Sequence, residues 1–152
     1  MDRDYLAEFE GALVGCHLSI QRREHDWLAS LGGRNEIRVS TPWRIVANGR
    51  IAFADQDDGQ KFGLPAPLDG EAEANTLVQG KAIIEAVVDR QTADLTLHLI
   101  DGTRVDVYNH SSGYEGWEAT VATPSGGILV IALGGGGVSI FLRGSEPTDL
   151  PG

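Results

Sequence analysis

The stretch WRIVANGRIAFA, residues 43–54, decides the fold class. Asn48 and Gly49 lie between two apolar runs of matching length, and both residues tolerate the positive φ angles of a type I′ turn. The stretch therefore predicts a β-hairpin with a two-residue loop, which pairs Val46 with Ile51 and Ile45 with Ala52. Because both faces are apolar near the turn, we expect this hairpin to be covered on both sides.

A second hairpin is predicted by LTLHLIDGTRVDV, residues 95–107. Its leucines alternate with other residues, and so do the valines of the returning run. A two-residue loop would set Leu99 against Arg104 and mix the core and solvent faces. We therefore predict a three-residue loop that pairs Leu99 with Val105 and Leu97 with Val107, with Gly102 in the left-handed conformation of a bulged turn.

The remaining patterns add two short helices and more strands. Leu6, Phe9 and Leu13 have near-helical spacing and predict a helix over 3–13, and EAEANTLVQ predicts another over 71–79. Strand-like segments lie around 13–21 and 36–46. Apolar runs on both sides of four glycines at 134–137 predict a further hairpin. A phosphate loop is disfavoured there because a strand and not a helix follows.

Together these patterns predict a mainly β protein. We expect an antiparallel β-sandwich or a partly open barrel with one or two short helices, the alternative being an α+β fold. The 20 glycines of the 152 residues suit many tight turns better than long helices. A chain of this length corresponds to a single domain, predicted over 1–145, with a flexible tail over 146–152.

A weak internal repeat is also visible, between 14–54 and 80–120. A shift of 68 residues aligns Asp26 with Asp94, Leu31 with Leu99, Ile37 with Val105 and Val39 with Val107. Generic hairpin patterning and a true duplication both produce such a match. A duplication would imply two similar β units packed face to face.

Charge and cysteine content limit the partners and the compartment. The formal net charge of −10 disfavours binding to nucleic acid and to anionic membrane surfaces, and favours a basic partner. The single Cys16 excludes an intramolecular disulfide, and the N-terminus shows neither a basic leader nor a long apolar run. We therefore expect a cytoplasmic protein.

No catalytic motif and no cofactor motif emerges from the sequence. Cys16, His17, His98 and His110 could be imagined as a metal cluster, but they lack close paired spacing, so we expect no metal site. His110 beside Ser111 and Ser112 does not make a catalytic triad by adjacency alone. We lean against an enzyme and expect no cofactor.

Candidate site residues concentrate in DGTRVDVYNHSSGYEGWEA, residues 101–119. Amphipathic aromatics beside carboxylates are typical of recognition surfaces, although the simpler interpretation is that Tyr108, Tyr114 and Trp117 belong to the core at one end of the sandwich or barrel. The residues that we expect to bind a ligand or partner are His110, Tyr114, Glu115, Trp117 and Glu118, together with Trp43 and Arg44.

Residues 80–119 resemble small uncharacterised bacterial domains built on the pattern DLxLxFxDGxxLxV followed by YExW. Some proteins of this kind are grouped with immunity-type accessory proteins of bacterial conflict systems. The resemblance carries over no catalytic residue. The first half of the chain departs from it, because Gly32-Gly33-Arg34-Asn35 stands in place of the Asp-Gly turn.

Three functions follow as hypotheses. The first is a non-enzymatic interaction protein whose acidic surface binds a basic protein, as an immunity-like accessory protein would. The second is a small-molecule-binding protein or an enzyme with an aromatic pocket around Tyr114 and Trp117, lined also by Trp43 and His110. The third is a homodimer formed through open strand edges.

Overall fold

A computed structural model describes residues 3–124 and 126–143 of the chain. The predicted tail, 146–152, lies outside the described residues. The elements, in chain order, are α1 Tyr5–Leu13, β1 Ser19–Arg22, β2 Trp27–Ser30, β3 Glu36–Val39, β4 Trp43–Ala47, β5 Arg50–Ala54, a 3₁₀ turn Asp55–Asp57, α2 Gly70–Val78, β6 Ile83–Val88, β7 Leu95–Leu99, β8 Arg104–Val107, β9 Glu118–Thr123, β10 Gly126–Ala132 and β11 Val138–Arg143.

The strands form two antiparallel sheets, which confirms the prediction of a mainly β sandwich. One sheet has the order β1-β2-β3-β9-β10-β11 and the other β5-β4-β8-β7-β6. Apolar side chains from both sheets and both helices make one core cluster. A single antiparallel bridge, between His17 and Ala82, links the two sheets next to β1 and β6. Of the two helices among the described residues, neither has the length and apolar character needed to cross a membrane.

The hairpin over 43–54 forms as predicted, with one change of register. Asn48 and Gly49 have the positive φ angles of the turn, and Val46 pairs with Ile51. The predicted pair of Ile45 with Ala52 is wrong, because a bulge in β5 sets Phe53 opposite Ile45. The extra residue turns Phe53 inward, where it is fully buried.

The expectation that both faces of this hairpin are covered is also wrong. β5 is the last strand of its sheet, and Ile51 on it is 60% exposed. An edge strand needs only its inward side chains to be apolar. The exposed Ile51 is therefore compatible with the fold.

The loop after β7 has the predicted length and glycine conformation. Leu99 N–H donates to the carbonyl of Thr103 at 2.8 Å, which leaves residues 100–102 as the loop, and Gly102 has φ of 90°. The predicted pairs are wrong by two residues, since Val105 pairs with Leu97 and not with Leu99. Asp101 accepts a hydrogen bond from Thr103 N–H. This bond helps to close the loop at residues 100–102, one residue earlier than the predicted pairs require. A shift of two residues keeps the leucines and valines on one face.

The two predicted repeat segments have matching geometry. In the hairpin β2-β3, Trp27 pairs with Val39 and Ala29 with Ile37. In the hairpin β7-β8, each pair recurs 68 residues later. The nine-residue helices α1 and α2 each begin after an aspartate, Asp4 or Asp69, whose carboxylate accepts from the third helical N–H. Common ancestry of the halves stays a prediction, but their geometry is what a duplicated chain would have.

The first half of the chain contains α1 and β1–β5, and the second contains α2 and β6–β11. The two halves also exchange elements. Hairpin β4-β5, from the first half, completes the sheet of the second half by pairing with β8, and hairpin β9-β10 pairs with β3 in return. Each helix likewise packs on strands of the other half of the chain: α1 on β6, β9 and β10, and α2 on β1, β4 and β5. β11 alone lies outside this correspondence. Neither half therefore contains a complete sandwich of its own.

Candidate functional site: a cleft left open in one half

The loop between β8 and β9 contains most of the predicted site residues, but its tryptophan belongs to the core. Trp117 is fully buried, its ring stacks on Phe9 at 6.0 Å, and its Nε1–H donates to the carbonyl of Ala93 at 2.7 Å. Tyr114 is 82% exposed, and His110 and Glu115 are also exposed. The structure therefore does not bring Trp117 and Tyr114 together as two walls of one pocket.

Trp43 has a similar place in the opposite sheet. It is 4% exposed and lies 5.5 Å from the ring of Phe53 and 5.1 Å from that of Trp27. The register makes it the counterpart of Trp117, because the residues that follow the two tryptophans, Arg44 and Glu118, pair with the equivalent residues Asp106 and Arg38. The prediction that Trp43 and Trp117 contact a partner is therefore not supported, since burial gives them a structural role.

Arg44 and Glu118 occupy equivalent positions in two ion networks of opposite sign. Asp106 accepts from Arg44 at 2.9 Å and from Arg104 at 2.7 Å. In the other sheet, Arg38 lies 2.9 Å from Glu36 and 4.0 Å from Glu118. One sheet thus has a carboxylate between two guanidiniums, and the other sheet has a guanidinium between two carboxylates.

The network around Asp106 is the more buried one. Burial by itself would raise the pKa of Asp106, but the hydrogen bonds from Arg104 and Arg44 outweigh it, so the pKa lies below its usual value. Arg44 also lies over the ring of Tyr108, 5.6 Å from its centre. These contacts explain Arg44 as part of a structural network on the sheet surface.

The loop over 108–117 fills a space beside the end of β10. Asn109 fixes it, because its Nδ2 donates to the carbonyls of Thr92 and Leu133 and its backbone N–H donates to Asp94. The glycine turn after β10 allows this contact, since a Cβ at Gly134 would overlap the backbone of Gly113. The four glycines form a hairpin loop, as predicted, and they also make room for the loop over 108–117.

The equivalent space in the first half is open. There the β3-β4 connection has only three residues, Ser40–Pro42, where the β8-β9 loop has ten. A cleft of about 360 Å³ lies between the β1-β2 loop, this short connection and the 3₁₀ turn. Its lining residues are Arg22–Trp27, Val39–Thr41, Asp55, Gln56 and Asp58. A volume of this size falls in the range of ligand-binding clefts.

The polar groups of the cleft are unevenly satisfied. Arg23 holds Asp26 with two hydrogen bonds of 2.6 Å, and Arg22 lies 2.9 Å from Asp58. Thr41, in contrast, is 8% exposed, and its hydroxyl has no hydrogen-bond partner among the described residues. A buried hydroxyl without a partner costs about 1–3 kcal/mol, so an unpaired group of this kind calls for an explanation.

An acidic segment, residues 55–73, borders this cleft. It contains Asp55, Asp57, Asp58, Asp69, Glu71 and Glu73 but only one cation, Lys61. At its tip, Phe62 is 68% exposed and Leu64 is 51% exposed. Phe62 has φ of 45°, a conformation that bulky residues rarely adopt and that is enriched at functional sites.

Sequence reasoning missed this segment as a candidate site. The Asp, Gly and Pro content of 55–67 indicates only a solvated acidic loop, and the signal that could have marked it is an aromatic residue, Phe62, in the middle of that loop. Trp27 and Thr41 carry no local motif at all. Their role in the cleft depends on the β3-β4 connection being short, which is visible only by comparison with the other half.

The cysteine and the histidines do not form a site together. Cys16 is half-buried and its thiol donates to the carbonyl of Ala12, while burial raises its pKa. His98 lies 3.9 Å from Glu85 on the neighbouring strand of its own sheet. The exposed His25 lies in the β1-β2 loop of the other sheet. Within residues 3–124 and 126–143, no three His, Cys, Asp or Glu side chains are placed to hold a metal ion.

The described residues form a two-sheet β-sandwich in which the space beside the β1-β2 loop is open and the matching space beside the β6-β7 loop is filled by the chain. No protein-family profile, no curated protein and no solved structure matches this chain. The resemblance of residues 80–119 to immunity-type domains therefore stays a prediction.

Proposed function

We propose that this chain is a non-enzymatic interaction protein, acting in the cytoplasm, that binds a basic protein through the acidic segment 55–73. The observation that carries the proposal is the exposed, strained Phe62 within a segment of six carboxylates and one cation. Aromatic side chains, Phe among them, are enriched at protein–protein interfaces, and a few such residues contribute most of the binding energy. An immunity-like role, in which an acidic surface masks a basic toxin, is the specific form of this proposal.

The acidic segment is well positioned for this role. Its carboxylates are held in place: Asp69 caps α2, Asp57 accepts from Ala54 N–H, and Asp58 accepts from Gly70 N–H. Two backbone hydrogen bonds, from Gly59 to Leu68 and from Leu68 to Gln60, close the loop that carries Phe62. A pre-ordered surface loses less entropy on binding than a mobile one.

The alternative function, a small-molecule site around Tyr114 and Trp117, has less support. Trp117 and Trp43 have almost no exposed surface to offer a ligand. The exposed Tyr114 and Glu115 remain a second candidate surface for a protein partner. The homodimer also stays a prediction, and the strand that favours it is the edge strand β11, where Phe141 and Leu142 are half-exposed.

The test is capture of partners from lysate of the source cells on immobilised protein, with elution by a salt ramp and identification by mass spectrometry. We expect the wild type to retain a basic protein and Phe62→Asn to retain at least tenfold less, because anchor residues contribute about 2 kcal/mol or more. Asparagine tolerates a positive φ, so this variant should keep its fold.

Tyr114→Ser is the matched control, since it removes an exposed aromatic residue from the other candidate surface. It should retain the partner as the wild type does. Loss with Tyr114→Ser and not with Phe62→Asn would move the interface to the 108–117 loop. A wild type that retains no basic protein at low salt would overturn the proposed function.

A further inference from the structure

We infer that the open cleft receives a peptide loop of the basic partner and holds one arginine or lysine side chain against Trp27 and the Thr41 hydroxyl. This inference rests on the proposed function and deepens it, because it names the chemical group that the partner inserts. The cleft lies directly beside the acidic segment, with which it shares Asp55 and Asp58.

The second half of the chain shows what fills the space that corresponds to the cleft. In the second half, the equivalent space is filled by the chain's own loop, residues 109–113, which rests between the β6-β7 loop and the segment after β10. The register makes these walls the counterparts of the β1-β2 loop and of the residues after β5, among which Gln56 and Asp58 line the cleft. The fold thus shows what occupies such a space, namely a polar peptide loop.

The loop in the second half also shows which contacts a peptide makes there. Asn109 donates its backbone N–H to the Asp94 carboxylate, and its side chain donates to two backbone carbonyls. In the first half, the counterpart of Asp94 is Asp26, which Arg23 holds instead. Arg23 therefore satisfies one of these groups without a loop, but the Thr41 hydroxyl remains without a donor or acceptor.

The residues that line the cleft fit a cationic side chain. Trp27 is half-buried, lines the cleft and makes an edge contact with the ring of Trp43, with 5.1 Å between the ring centres. Indole faces are the strongest aromatic partners for cations. Four carboxylates line the cleft against two guanidiniums, and Asp55 uses only Oδ1, for Trp43 N–H, with no donor to Oδ2 in the described part of the chain. These features favour a cationic head group.

The probe for this inference is acetyl-Gly-Arg-Gly-amide, titrated into the full ¹⁵N-labelled chain and followed by NMR. We expect saturable shifts of the Thr41 amide and the Trp27 indole N–H, and an unshifted indole N–H of the buried Trp117. Acetyl-Gly-Glu-Gly-amide is the matched control probe and should give no saturable shift at the cleft.

Thr41→Val separates binding from folding. Valine has nearly the shape of threonine without the unpaired hydroxyl, so the melting temperature should be unchanged or higher. Affinity for the arginine probe should fall about fivefold, the effect of losing one hydrogen bond. Unchanged affinity in this variant, or no saturable shift up to the solubility limit of the probe, would overturn the inference.

The proposed function and this inference fail in different ways. If the wild type and Thr41→Val retain the basic partner equally from lysate while Phe62→Asn does not, the proposed function stands and the cleft is excluded. If the cleft binds the arginine probe but no basic protein is retained, the proposed function fails and the inference about a partner loop fails with it.

Discussion

Asp106 is a single charged residue on the sheet surface that we expect to stabilise the fold. Its carboxylate is nearly buried and accepts hydrogen bonds from Arg44 and Arg104. Its counterpart Arg38 has the opposite charge and a side chain that is half exposed. Because ion pairs gain strength as water is excluded, we expect the Asp106 network to stabilise the fold more than the Arg38 network.

Asp106→Asn should lower the free energy of unfolding by about 2 kcal/mol at pH 7, since it leaves two guanidiniums without their shared anion. The folded-state pKa of Asp106 is lowered, so its contribution is present above the unfolded pKa and is lost as pH falls through the folded value. Urea unfolding at pH 7 and pH 3 measures this, and the gap between wild type and variant should narrow at pH 3.

The control is Arg38→Gln, which should cost about 0.5 kcal/mol because that network is exposed to solvent. Equal losses for Asp106→Asn and Arg38→Gln would show that burial does not decide the strength of the two networks.

At the scale of elements, the sequence predicted more of the fold than of the site. Local patterns sufficed for both helices and for the hairpins at 43–54, 95–107 and 128–142, because turn residues and alternation act over short distances. The register errors came from the bulge before Phe53 and from the Asp101 turn, which depend on packing and side-chain bonding. The site depended on loop lengths compared between the halves, which no local pattern contains.

Each helix covers the open edge of a strand, α2 the edge of β1 and α1 the edge of β6. The sequences of the helices do not predict this role. Asn75 of α2 accepts from Ile20 N–H at 2.8 Å and donates to the Ile20 carbonyl at 2.7 Å. At the same position of α1, Glu10 accepts from Val88 N–H at 2.7 Å. Side chains of the helices thus satisfy backbone groups that an edge strand would leave open.

Asn75→Ala should lower the free energy of unfolding by about 2 kcal/mol, because both backbone groups of the buried Ile20 lose their partner. Hydrogen exchange at the Ile20 amide should accelerate in parallel. Thr76→Ala, an exposed change on the same helix, is the control and should stay within about 0.5 kcal/mol of the wild type. Equal stability of the two variants would contradict the capping role of Asn75.

Across the whole molecule, the two halves exchange strands, and they also differ in which element supplies the large side chain that packs on each core tryptophan. Phe9 of α1 stacks on Trp117, whereas the matching position of α2 is Ala74, and there Phe53 of β5 packs on Trp43 instead. The strand position that matches Phe53 holds the smaller Val130. Trp117 and Trp43 therefore each pack on a phenylalanine, which a helix supplies to Trp117 and a strand supplies to Trp43.

This exchange predicts that the two halves unfold together. Each sheet is completed by a hairpin from the other half, so loss of one half exposes the core of both. Trp117→Phe leaves fluorescence from Trp27 and Trp43 only, whereas the double variant Trp27→Phe with Trp43→Phe leaves Trp117. In each variant we expect the urea midpoint by fluorescence to equal the midpoint by far-ultraviolet circular dichroism, although both variants will be less stable than the wild type. A fluorescence midpoint that departs from the dichroism midpoint in either variant would mean that one half unfolds independently, and the exchanged hairpins would then not be what couples them.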